Sequence, residues 1–170
     1  MFLTTTSAEP SANVAAGSFP GRLRAKTGLA GFDLPTEAQW ECACRAGTTT
    51  ALNNGRDLSS EKGACLNLNE VGRYCENSNH TTQAAGGKRP NAWDLYDMHG
   101  NVLELCRDWQ GDCSGDAIVP VGLSSGRYRV SRGGTWANYA LGCRSADRGV
   151  SAHGNRDSYS GFRLALAPVQ

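Results

Sequence analysis

The sequence predicts a loop-rich α+β domain, and three observations predict it. Glycine is frequent, 21 of 170 residues, which implies many tight turns and irregular backbone. A helical period is sustained over one short segment. Strand-like alternation occurs only in isolated runs between Gly and Asn clusters. Taken in order, residues 1–20 are rich in Ser, Thr, Ala and Pro without a period and read as a poorly ordered leader, so that the domain proper runs over 21–170. The first element begins at Leu34. Thr36 with Gln39 three residues later forms a T-x-x-Q capping box, Trp40, Ala43 and Cys44 share one face, and Gly47 supplies the stop. This predicts a helix over Glu37–Ala46. From Thr48 to Pro90 the glycines at Gly55, Gly63, Gly72, Gly86 and Gly87 break any period, so a long loop region with short strands at most is expected. Strands are predicted at Asn101–Trp109, at Tyr128–Ser131 ending on Gly133 and Gly134, and at Phe162–Leu166.

Charge and length exclude several function classes. The chain carries 17 Lys and Arg against 16 Asp and Glu, a formal net charge of +1, and no block of like charges. That argues against a nucleic-acid partner and against a polybasic membrane anchor. No stretch approaches the roughly 20 apolar residues of a membrane span. The N-terminus lacks a basic region followed by an apolar one, so no secretory signal is read and the location is left as cytoplasmic or unknown. Seven cysteines leave at least one thiol outside any intramolecular disulfide scheme, and reduced, buried thiols are expected.

The usual catalytic motifs are missing. His80, His99 and His153 show no metal-ligand spacing, and a structural or solvent role is expected of them. No C-x-x-C, phosphate loop or dinucleotide fingerprint occurs. Asn79-His80-Thr81 matches a glycosylation acceptor. One segment has the chemistry of a hard-cation site. Asp97 and Glu104 stand seven residues apart around Gly100, and the carbonyls of Gly100 and Val102 can turn into the same space. The alternative is a loop that holds itself, with Asp97 and Glu104 accepting backbone N–H bonds.

Five blocks in order then carry a family resemblance. Leu34-Pro35-Thr36-Glu37-Ala38-Gln39-Trp40-Glu41 resembles the LPTEAEWE signature of the formylglycine-generating enzyme (sulfatase-modifying factor) family. Asn91 to Val102 is similar to its PNxWGLYDMHGNV block, Arg132-Gly133-Gly134-Thr135-Trp136 to its RGGSW, Cys143-Arg144-Ser145-Ala146 to its CRSA, and Gly161-Phe162-Arg163 to its GFR. The resemblance implies a variant C-type-lectin-like fold. It also implies a structural calcium held by Asp97, Gly100, Val102 and Glu104. Leu103 and Leu105 stand where the family usually has Trp, thinning the aromatic packing beneath that site. The family's domains begin with further N-terminal strands that this chain lacks, so an N-terminally truncated version, the C-terminal part of a longer domain, is expected. The family's oxidases hold copper(I) with two cysteines after the glycine pair. Here the first position falls on Asn138 and the second has no counterpart, so no copper is expected, because soft thiolate pairs select Cu(I). Cys143 is expected to pack.

The segment from Ala137 to Ser160 contains no Glu, Lys, Gln, Met or Trp. An Asn codon mutated at its adenines cannot reach those five residues, and the pattern resembles the variable region of retroelement-diversified proteins on this lectin-like scaffold. Tyr139 and Tyr159 offer rigid contact area, and the Asn, Asp, Ser and Gly around them offer adaptable hydrogen bonds. Asn138, Tyr139, Asp147, His153, Asn155, Asp157 and Tyr159 are the candidate ligand-binding residues. The resulting expectation is a non-catalytic domain that binds a protein or glycan, of open oligomeric state. A formylglycine-generating oxidase and a fragment without independent function stand as alternatives.

Overall fold

A computed structural model describes residues 3–4, 14–111, 125–152 and 154–166. In chain order the elements are β1 (Leu3–Thr4), α1 (Phe19–Thr27), β2 (Phe32–Asp33), α2 (Glu37–Arg45), α3 (Leu66–Asn69), β3 (Gly72–Arg73), β4 (His99–Gly100), β5 (Leu103–Trp109), β6 (Tyr128–Arg132), β7 (Arg148–Ala152), β8 (Ser160–Gly161) and β9 (Ala165–Leu166), with a 3₁₀ turn at Ala140–Cys143. The fold is the loop-rich α+β arrangement the sequence predicts.

Helix α2 forms for the reasons its sequence gives. Thr36 Oγ1 accepts from the Gln39 backbone N–H at 3.2 Å, and Gln39 Oε1 accepts from the Thr36 N–H at 2.8 Å. The capping box is closed in both directions. Asp108, from β5, adds a carboxylate that accepts from the Glu37 N–H at 2.6 Å, at the end of the helix where negative charge is favoured. Trp40, Ala43 and Cys44 are buried together. The helix closes on Ala46 in the left-handed region, φ 45°, one residue before the expected Gly47.

The main sheet runs β7-β6-β5-β8, with β6 antiparallel to both neighbours and β8 parallel to β5. Along β5 the buried positions are Glu104, Cys106 and Asp108, so two carboxylates face inward, toward the indole and the N-terminus of α2. Two apolar cores result. One gathers Trp40, Ala43, Cys44, Leu95, Met98, Cys106, Val130 and Ala165. The other gathers Leu52, Cys65, Leu68, Val71, Tyr74, Ala140 and Cys143.

Four expectations are corrected. The first helix is α1, not α2, and position 20 lies inside it. It buries no residue, so it shows no apolar period. Its marks are the ends: Ser18 Oγ accepts from the Gly21 N–H, Pro20 sits in the first turn, and Gly28 closes it at φ 73°. Helix α3 interrupts the loop region between Thr48 and Pro90. The C-terminal run is two short strands, because β8 pairs in the main sheet while β9 lies between β1 and β2 in another; a single straight strand cannot serve both. Between them Phe162 is exposed against Phe19, with ring centroids 5.5 Å apart. Finally, β7 places regular structure within the Ala137–Ser160 segment. Among the described residues no helix is long and apolar enough to cross a membrane.

Candidate functional site

The predicted cation ligands lie together. Asp97, Gly100, Val102 and Glu104 all line one cavity of about 460 Å³, along with Asp94, Tyr96, Asn101, Phe162 and Arg163 among others. The local backbone explains the convergence. Asp94, Asp97, Gly100 and Asn101 all adopt left-handed φ values, between 57° and 80°, which turns the chain repeatedly within eight residues. Gly100 is required there, since a Cβ at this position would collide with the Arg73 carbonyl.

The two carboxylates are held differently. Asp97 Oδ2 accepts from the Gly86 N–H at 2.7 Å, a backbone bond of the kind expected for a self-held loop. Glu104 is buried and accepts side-chain donors instead. Oε2 takes the Trp40 indole N–H at 2.6 Å and Arg163 Nε at 2.7 Å, and Oε1 takes Arg163 Nη2 at 2.7 Å. Arg163 Nη2 also donates to the Tyr96 carbonyl at 2.9 Å. Three carboxylates against one guanidinium give the lining a formal charge of −2. That donor set, with the two carbonyls, fits a hard divalent cation.

His99 sits behind this loop and is structural, as its spacing suggests. Its Nδ1 donates to the Cys143 carbonyl at 2.7 Å, and its Nε2 accepts from the Asn53 N–H at 3.0 Å. Those partners define a neutral tautomer. Complete burial pushes the ring down to about 4. His80 is exposed, and His153 lies outside the described residues.

The described cysteines, Cys42, Cys44, Cys65, Cys75, Cys106 and Cys143, are all free thiols. Burial pushes Cys44 and Cys143 up to about 12 each. Cys143 packs in the second core, its Sγ toward the Thr135 carbonyl. Asn138, where the resemblance would place the first copper cysteine, offers an amide and no sulfur.

The candidate ligand-binding residues divide into those that build the surface and those that present it. Asn138 builds: its Oδ1 accepts from the Thr135 N–H at 2.8 Å and hydroxyl at 2.9 Å, and its carbonyl accepts from the Cys75 N–H at 3.0 Å. Asp147 also builds. It is half-buried beside Arg144 and its carbonyl accepts from Arg132. Arg132, 1% exposed, ties this region to α2 through Glu41 and to the Ser145 carbonyl at 3.0 Å. Tyr139 and Tyr159 present, with 55% and 42% of their surface exposed. Asn155 donates to Asp157, and Asp157 accepts from the Tyr159 N–H at 2.9 Å. That backbone bond, with further bonds from Ser160 and Asn155, holds the Asp157 carboxyl below its ordinary range.

Sequence reasoning missed Trp136, which stacks on Tyr159 with centroids 5.0 Å apart and planes at 17°. Its indole donates to the Ser158 carbonyl at 3.0 Å. An aromatic two residues after the Gly133-Gly134 pair was the available signal. The loop Cys75–His80 was missed as well. With Ala137 and Tyr139 it lines a cavity of about 570 Å³.

Comparison with known proteins bears on this geometry. The Sulfatase-modifying factor enzyme 1-like domain matches residues 6–168. A formylglycine-generating enzyme of Thermomonospora curvata is 29% identical over 157 residues, covering 82% of this chain and 51% of that enzyme. Serine/threonine-protein kinase pkn1 of Chlamydia pneumoniae is 34% identical over 141 residues, covering 79% of this chain and 21% of the kinase. Among solved structures, variable protein 1 of Treponema denticola aligns with a TM-score of 0.71 at 40% identity, over 81% of this chain and 48% of that protein. The chain spans about half the length of that enzyme and of the variable protein, and a fifth of the kinase. With five motif blocks in order and the family pattern matched over nearly its whole length, the chain belongs to the sulfatase-modifying factor (formylglycine-generating enzyme-like) family.

Proposed function

We propose that this chain is a non-catalytic domain that binds a protein or glycan through the surface around Tyr139 and the Trp136–Tyr159 stack. The observation that carries this reading is the pairing of exposed aromatics with loop side chains that bond the backbone beneath them. Trp136, Asn138 and Asp157 spend their polar groups on the backbone, which leaves the tyrosine rings standing on a rigid base. Loops on a fixed scaffold are the usual carriers of recognition, and the residue mix is that of paratopes. The likeness to a Treponema variable protein and the five residue types missing from 137–160 support a diversified surface. A reverse transcriptase and a near-copy of this segment differing only at adenines, in the neighbouring DNA, are the expected genetic signature.

Calcium belongs to the same proposal. Bound by Asp97, Gly100, Val102 and Glu104, it supplies the positive charge that the lining lacks and stabilises the loop that carries His99. The thermal transition is expected to rise with calcium and to fall back with chelator, and Asp97→Ala is expected to abolish that response. An unmoved transition removes the calcium assignment. Catalysis is tested separately: the copper-treated protein is expected to leave a Cys-containing sulfatase peptide unconverted, and aldehyde formation contradicts the reading.

A further inference from the structure

We propose that the cleft between the Cys75–His80 loop and the Ala137–Tyr139 turn is a subsite for a neutral saccharide, and that it works without calcium. The inference rests on the ligand-binding reading above and names the ligand class of one part of that surface. The cleft is open to solvent and offers about 570 Å³, within the range of small-ligand sites. Its walls are pinned to each other. The Cys75 N–H donates to the Asn138 carbonyl at 3.0 Å, and the buried Ser78 hydroxyl donates to the Trp136 carbonyl at 2.8 Å. A cleft built this way loses little freedom when it is filled.

The lining chemistry selects the ligand. Asn79 and His80 are consecutive non-glycine residues in the left-handed region, φ 55° and 56°, an uncommon conformation at the rim of the cavity they line. Glu76 has the Cys75 thiol at 3.8 Å as a neighbour, and among the described residues no Lys or Arg forms an ion pair with it. A carboxylate only accepts, an amide both donates and accepts, and an imidazole adds two ring nitrogens of its own. Hydroxyl groups, which donate and accept, satisfy that mixed set. An ammonium or guanidinium only donates and leaves the Asn79 amide N–H unmet. With no Lys or Arg in the lining and the Glu76 carboxylate on its wall, phosphate, sulfate and carboxylate groups are disfavoured. The exposed Tyr139 ring supplies a flat apolar face for the C–H side of a sugar ring. The cleft shares no lining residue with the Asp97–Glu104 cavity, so calcium has no part in it.

The test presents the full chain to an array of neutral, sialylated and sulfated oligosaccharides and Lys- and Arg-rich peptides, in calcium and in EDTA. Neutral saccharides are expected to bind equally in both buffers. Glu76→Gln and Tyr139→Ala are each expected to weaken that binding about tenfold with an unchanged thermal midpoint. Binding confined to charged saccharides or to peptides, dependence on calcium together with loss in Asp97→Ala, or indifference to both substitutions overturns the subsite. If Trp136→Ala and Tyr159→Ala abolish binding while Glu76→Gln and Tyr139→Ala do not, the subsite fails and the recognition surface stands. Absence of any bound probe overturns the subsite.

Discussion

Glu104 is buried with its carboxylate forked against Arg163 and capped by the Trp40 indole. Removing one partner of such a pair strands the other charge. Arg163→Met is therefore expected to lower stability by about 3–5 kcal/mol in urea unfolding, and adding Glu104→Gln to that variant is expected to recover part of the loss. A smaller loss in the single variant would mean that water reaches Glu104 freely. His99 gives a second prediction at this scale. Its ring is held at about 4 against an ordinary 6.5, so the unfolded chain takes up a proton first as pH falls. The stability it contributes is whole above pH 6.5 and is lost as pH drops toward 4, by about 1.4 kcal/mol per unit and about 3 kcal/mol in total. Urea unfolding between pH 7 and 4 measures this, and His99→Asn is expected to flatten the slope.

At the scale of elements, α2 is specified locally and the C-terminal segment is not. Thr36→Ala opens the capping box and is expected to cost about 1 kcal/mol, read as a fall of a few degrees in thermal midpoint. The segment from Ala137 to Ser160 mixes two kinds of position. Randomising Tyr139, Asn155, Asp157 and Tyr159 together is expected to leave most variants folded, as scored by protease resistance on display. Randomising Asn138, Cys143 and Arg132 is expected to leave few, because those side chains bond the backbone or fill the core. Equal tolerance in the two libraries would contradict a surface separated from its scaffold. Legibility follows the same division. The capping box, the buried Trp40 face and strands β5 and β6 have local causes and were readable. Helix α1 was not, since it buries nothing and is marked only by Ser18, Pro20 and Gly28. The break between β8 and β9 was not, since it is set by which sheet each strand joins.

For the whole molecule, the glycine content becomes a small number of required bends. Gly100 brings the cation loop against the Arg73 carbonyl, and Gly134, at φ 78°, lets the chain pass against Gly142 and Cys143. Those bends set the Asp97–Glu104 cavity and the Tyr139–Tyr159 surface on one scaffold. The grouping of Asp97, Gly100, Val102 and Glu104 around one cavity was legible because they lie within eight residues. The cleft behind Tyr139 was not, because Cys75 and Ala137 stand far apart in sequence and meet only through the fold. Asn138, where the resemblance would place the first of the family's two copper cysteines, bonds to Thr135. The most direct measurement is the equilibrium affinity of the intact chain and of Tyr159→Ala for the strongest binder on an array of oligosaccharides and proteins. Saturable binding by the intact chain, weakened at least about tenfold in a variant of unchanged thermal midpoint, is the result predicted. Equal binding by the two proteins, or no saturable binding by either, would contradict the account.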